Sequence, residues 1–139
     1  MSDTSTVTFE QDCPLAILAM NNAPHNLIGP ALMQDLLDAL LAAEQAGSRA
    51  VLLKSGLRHF SAGAELSLFE AAMGGGQLTI SPIEFLEKLE SFPLPIVAAV
   101  HGVCVGGGFE LALACDMVIA SRTSKIGSVE ATLGLNPLM

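Results

Sequence analysis

Val100-His101-Gly102-Val103-Cys104-Val105-Gly106-Gly107-Gly108-Phe109-Glu110-Leu111-Ala112-Leu113-Ala114-Cys115-Asp116 reads as a buried strand, a glycine turn and a helix that is apolar almost all round. A glycine run opening a helix leaves backbone N–H groups without intrahelical partners at the positive end of the helix dipole, and no side chain keeps a ligand away. Such a place suits an oxygen that carries negative charge. Two plainer explanations suit the same residues: an acid in the first turn complements the dipole, and glycines let a helix pack closely on a strand. Glu110 tests them, because Phe109, Leu111, Ala112, Leu113 and Ala114 predict burial on most of its sides, and a lone buried carboxylate is costly.

Composition narrows the function classes. The 139 residues are 51% hydrophobic and 14% charged, too apolar for a disordered chain. They suffice for one core, and a single domain over residues 1–139 is expected. A net charge of −8 with only 6 Lys and Arg excludes a general nucleic-acid binder. Lys54, Arg58 and His59 form the one close basic cluster ahead of the glycine stretch. Cys13, Cys104 and Cys115 are odd in number and lack metal-ligand spacing, so they read as reduced core residues. No metal site is expected. Residues 1–12 are polar and lack the apolar core of a signal peptide, and the apolar run 96–120, interrupted by His101, Glu110, Asp116 and glycines, reads as strand, helix and strand in a buried core. A cytoplasmic protein without a membrane span is the expectation.

The remaining segments order themselves around that stretch. Residues 6–11 and 15–20 predict an antiparallel strand pair, and 21–29 a loop. Pro30 opens a helix whose Leu32, Met33, Leu36, Leu37, Leu40 and Leu41 recur at helical spacing, and Gly47 ends it. Residues 50–54 predict a short buried strand, 55–64 a loop and 65–73 a helix; Gly74-Gly75-Gly76-Gln77 is a flexible break. Ser81-Pro82-Ile83-Glu84 carries a capping-box pattern for a helix reaching about Phe92, stopped by Pro93 and Pro95. Strands follow at 96–100, 117–120 and 125–127, and the helix after the glycine turn reaches about Cys115. The glycines do not form a dinucleotide-binding fingerprint in its strand-to-helix frame. His25 and His101 read as loop or turn residues without a role.

Three motifs in order, His59-Phe60-Ser61-Ala62-Gly63-Ala64-Glu65-Leu66, the Val100–Asp116 stretch and Ser128-Val129-Glu130-Ala131-Thr132-Leu133-Gly134-Leu135-Asn136-Pro137, resemble the enoyl-CoA hydratase/isomerase (crotonase) family. The resemblance implies an α/β fold, a spiral of ββα units of the ClpP/crotonase type. Because members of that family are about twice as long, the chain resembles the N-terminal half of the fold, ending before the C-terminal helical region.

The same resemblance implies the chemistry. Backbone N–H groups at Ala64 and Gly107 would form an oxyanion hole for a thioester carbonyl, and Glu110 and Glu130 would move protons and activate water. Arg58, Ser61, Ala62, Gly63 and Gly106 join Ala64 and Gly107 as residues expected against the substrate. That substrate would be a coenzyme A thioester, with no permanently bound cofactor. The implied reaction is syn addition of water to a 2-enoyl-CoA, giving a 3-hydroxyacyl-CoA in acyl-CoA metabolism. Isomerisation of an enoyl-CoA is the alternative within the family. A catalytically incomplete fragment that only binds acyl-CoA or associates with other subunits is the alternative outside it. Full-length members imply a homo-oligomer, a trimer or hexamer. Val129 stands where proline is frequent in the family, which leaves the neighbouring carboxylate in place.

Overall fold

The computed structural model describes residues 5–137. The first four positions of the polar N-terminal stretch and the last two of the single-domain reading lie outside them. The elements are β1 (Val7–Asp12), β2 (Leu15–Met20), α1 (Pro30–Gln45), β3 (Ala50–Ser55), α2 (Leu66–Ala72), α3 (Pro82–Glu90), β4 (Ile96–Val100), β5 (Val103–Val105), α4 (Gly107–Ala114), β6 (Met117–Ala120), β7 (Lys125–Gly127) and a 3-10 turn, Glu130–Leu133. Among the described residues no helix is long and apolar enough to cross a membrane.

Five strands form one sheet in the order β1-β2-β3-β4-β6, with β1 antiparallel to β2 and the other pairs parallel. Side chains alternate across a strand, so the register sorts them into two faces. One face carries Leu18 opposite Leu53 and Leu53 opposite Ala98, all buried. The leucine stripe of α1 contributes Leu32, Met33, Leu36 and Leu40 to the same core, while Leu41 at the edge of the stripe is exposed. Asp35 of α1 accepts hydrogen bonds from the Thr6 N–H and hydroxyl at 2.7 and 2.8 Å, tying the helix to the start of β1. The capping box of α3 forms as its sequence pattern predicts: the Ser81 hydroxyl accepts from Glu84 N–H, and the Glu84 carboxylate accepts from Ser81 N–H. Helix α3 stops at Glu90, two residues short of Phe92.

Three expectations are corrected. The strand before the glycine run is two strands: Gly102, at φ +65°, turns the chain between β4 and β5, and β5 leaves the main sheet to pair in parallel with β7. A side chain at Gly102 would start 2.6 Å from the Arg58 carbonyl, so the close approach as well as the left-handed backbone requires glycine. Strand β6 is exposed along its whole length rather than buried, because it is the last strand of the sheet and no element covers it among the described residues. Cys13 is exposed, not a core residue, since it sits at the tip between β1 and β2; Cys104 and Cys115 are buried and free, as expected.

Candidate active site

The second half of the molecule brings distant motifs together by two short pairings. Ser61 bridges Cys104 in parallel fashion, with Ser61 N–H donating to the Val103 carbonyl and Val105 N–H donating to the Ser61 carbonyl, both at 3.1 Å. Ile28 bridges Ala64: Ile28 N–H donates to the Gly63 carbonyl and Glu65 N–H to the Ile28 carbonyl, each at 2.8 Å. In extended backbone successive peptide groups face opposite ways. With Gly63 C=O and Glu65 N–H facing Ile28, the Ala64 N–H faces away from it, and among the described residues it meets no hydrogen-bond acceptor.

Gly107 supplies the second free donor. It is the first residue of α4, and the first intrahelical bond of that helix is Glu110 N–H to the Gly106 carbonyl at 3.0 Å. The Gly107 N–H therefore precedes the ladder and finds no acceptor among the described residues. Gly106 makes this possible. Its φ of +56° and ψ of −128° belong to a region that side-chain-bearing residues rarely enter, and a Cβ there would lie 3.2 Å from Glu130 Oε1.

A cavity of about 160 Å³ is lined by Ala62, Gly63, Ala64, Gly106, Gly107 and Glu130, together with the apolar Phe69, Val129, Leu133 and Leu135. Glu130 is only 7% exposed, and its Oε2 accepts a hydrogen bond from the Ser128 hydroxyl at 2.7 Å. The turn that carries it is pinned by Leu135 N–H donating to the Glu130 carbonyl, with Gly134 at φ +69° reversing the chain. Two residues with unpaired N–H groups and one buried carboxylate thus line the same, otherwise apolar space. Such a site can stabilise a developing oxyanion and exchange a proton with the carbon skeleton beside it.

The other residues expected here stand elsewhere. Glu110 is half-buried in the first turn of α4 and lines a separate recess with Leu86, Glu90, Leu113 and Ala114. Ser61 is fully buried, and its hydroxyl donates to the Asn26 carbonyl at 2.7 Å and accepts from Gly63 N–H at 3.3 Å; it shapes the loop. Arg58 lines a third cavity beside His59.

Sequence reasoning missed Asn26, which it placed in a plain loop. Asn26 is buried at φ +50°, and its side-chain amide donates to the Ser55 hydroxyl, the Met20 carbonyl and the His59 carbonyl. It locks the 55–64 segment against β2. Asn tolerates this backbone region better than other side chains, and an Asn in a loop that also holds Pro and Gly is the signal the sequence offered. Ser128 and the apolar wall of Phe69, Leu133 and Leu135 were likewise not assigned.

Comparison with known proteins bears on the family and the fold. A profile of the enoyl-CoA hydratase/isomerase family matches residues 10–139. The chain is 34% identical over 137 residues to a probable enoyl-CoA hydratase of Bacillus subtilis, covering 96% of this chain and 53% of that protein. It is 35% identical over 123 residues to the 2,3-dehydroadipyl-CoA hydratase of Escherichia coli, covering 87% and 48%. The chain spans about half the length of these curated relatives. A solved structure of a putative enoyl-CoA hydratase/isomerase (crotonase) from Legionella pneumophila superposes with a TM-score of 0.83 at 30% identity, over 96% of this chain and 54% of that one. The profile runs through all three motifs, and the solved relative shares the course of the backbone: the chain has the α/β crotonase fold and belongs to the enoyl-CoA hydratase/isomerase family.

Proposed function

We propose that the protein adds water to the double bond of a 2-enoyl-CoA thioester in acyl-CoA metabolism, giving a 3-hydroxyacyl-CoA. The observation that supports this reading is that Ala64 and Gly107, whose N–H groups lack acceptors among the described residues, line one cavity with the buried Glu130. In the reaction, the thioester oxygen would sit between the two N–H donors. As water attacks C3, electron density moves through C2 to that oxygen, and the donors stabilise the enolate-like charge where it develops. Glu130 and Glu110 would share the proton work: a carboxylate takes a proton from the attacking water, and C2 receives a proton to complete a syn addition. The apolar wall of Phe69, Leu133 and Leu135 suits an acyl chain. The hydratase names of the relatives support the same choice.

The test is the loss of the conjugated enoyl-thioester absorbance of crotonyl-CoA. Glu130→Gln is expected to lower the rate by roughly 10²–10⁴-fold, the usual span for a general acid or base, and Glu110→Gln by a comparable factor. Full activity in Glu130→Gln would overturn the assignment.

A second reading has a specific observation in its favour. Glu110 lines a recess apart from the cavity of Glu130, and one carboxylate suffices to carry a proton between C2 and C4 in an enoyl-CoA isomerisation. Products from 3-enoyl and 2-enoyl thioesters separate the two, and an effect of Glu130→Gln without one of Glu110→Gln favours isomerisation. A folded chain that binds acyl-CoA and turns over neither substrate supports the incomplete-fragment reading.

A further inference from the structure

The cavity beside Arg58, of about 280 Å³, is lined by Arg58, His59, Gly102, Val103, Thr123 and Lys125 and shares no lining residue with that of Glu130. We infer that it binds a phosphate group.

Its charge is the first reason. The chain has net charge −8 and only 6 Lys and Arg residues, yet two of these and a histidine line this one cavity, and no acidic side chain does. Arg58 and Lys125 are far apart in sequence, so the cluster is a product of the fold. Lys54, which the sequence grouped with Arg58 and His59, is not part of it. Among the described residues neither the Arg58 nor the Lys125 side chain has an ion-pair or hydrogen-bonding partner, and both are exposed, so both heads are available to an anion.

The second reason is that the walls are fixed. Lys125 N–H donates to the Gly102 carbonyl at 2.9 Å, and the Ser124 hydroxyl donates to the Val100 carbonyl at 3.2 Å, holding the Thr123–Lys125 edge against the β4–β5 turn. His101 Nε2 and the Leu57 carbonyl, 2.7 Å apart, tie the opposite edge to the same turn. Val103 N–H donates to His59 Nδ1 at 3.1 Å. That bond makes Nδ1 an acceptor, so the neutral ring carries its proton on Nε2 and keeps a donor for a ligand. A guanidinium fork, an ammonium and an imidazole N–H are donors that suit the acceptor oxygens of a phosphate, and the Thr123 hydroxyl, 3.4 Å from the Ser121 hydroxyl, has capacity for one more hydrogen bond.

Two sources of phosphate fit: the nucleotide portion of the thioester proposed above, or a separate phosphate-bearing ligand. Only the first rests on that proposal. The experiment titrates inorganic phosphate into the full chain, following heat and the His59 ring resonances, for the wild type and for Arg58→Gln, Lys125→Gln and Lys54→Gln. The expected result is saturable binding that shifts the His59 signals, weakened about tenfold or more by either of the first two substitutions and unchanged by the third. Both cavity cations are exposed, so folding should survive, and circular dichroism checks it. No saturable binding, or equal weakening by Lys54→Gln, overturns the site. Competition between phosphate and an acyl-CoA thioester assigns the phosphate to the substrate; simultaneous binding assigns it to a separate ligand. Phosphate binding without thioester turnover retains this site and counts against the proposed function, and turnover without phosphate binding does the reverse.

Discussion

Gly106 has a backbone conformation closed to most residues and a carboxylate oxygen 3.2 Å from where its Cβ would stand. Gly106→Ala should therefore destabilise the fold by about 1–3 kcal/mol, read as a lower urea midpoint, and disturb the cavity more than its small volume suggests. The two buried thiols give a pH signature. Burial pushes Cys104 up to about 11, and burial first, with Asp116 and Cys104 adding to it, pushes Cys115 up to about 12. A thiol raised in the folded state stays protonated where the unfolded chain, near the ordinary value of 9.0, has released its proton. The unfolded state then binds fewer protons, so stability is level below about pH 9 and falls as pH rises from there toward 11, by up to about 1.4 kcal/mol per thiol per pH unit. Denaturant midpoints measured between pH 7 and 10 should show this slope, and Cys104→Ala should flatten it. The exposed Cys13 should react with a thiol reagent in the native protein while the other two resist.

At the scale of elements, what the local sequence dictated formed as expected wherever the dictating interaction is local. The α3 capping box needs only Ser81 and Glu84, and both bonds are present. Ser81→Ala should cost about 1 kcal/mol, measured by thermal or urea unfolding, and Ser81→Thr should recover much of it. The hydrophobic stripe of α1 was legible for the same reason, since the periodicity of one element sets which face it buries, and β2, β3 and β4 were legible as short apolar runs. The β4–β5 break was not, because Val100–Val105 is an apolar run whose division depends on Gly102 passing close to Arg58 and on β7 arriving to pair with β5.

Among the described residues only one face of the sheet is fully covered. On the other face the register sets Ile17 beside Leu52, Leu52 beside Val97 and Val97 beside Met117, an apolar row across four strands that is half-buried inside the sheet and open at β6. Met117 and Ile119 are 60% and 61% exposed on an edge strand, and Leu133 is 73% exposed at the mouth of the site cavity. Parallel sheets are ordinarily covered on both faces, and an open apolar edge strand pairs readily with other chains. The isolated 139-residue chain should therefore bind ANS in its folded state and self-associate as its concentration rises. Ile119→Lys should reduce both, as read by fluorescence and sedimentation. A monomer at high concentration without ANS binding would show that this face needs no cover.

The sequence by itself determined the family, the α/β class, most element positions and the residues from which an oxyanion site and a carboxylate could come, because motifs and periodicity are written in short stretches. Only the tertiary structure decided that Glu130 joins Ala64 and Gly107 while Glu110 lines a different recess, that Asn26 and Ser61 hold the loop, and that Lys125 rather than Lys54 meets Arg58. The physical reason is shared by all of these. A side chain's direction and neighbours depend on which strand edge its backbone pairs with, and those pairings link residues tens of positions apart, beyond what any local pattern encodes.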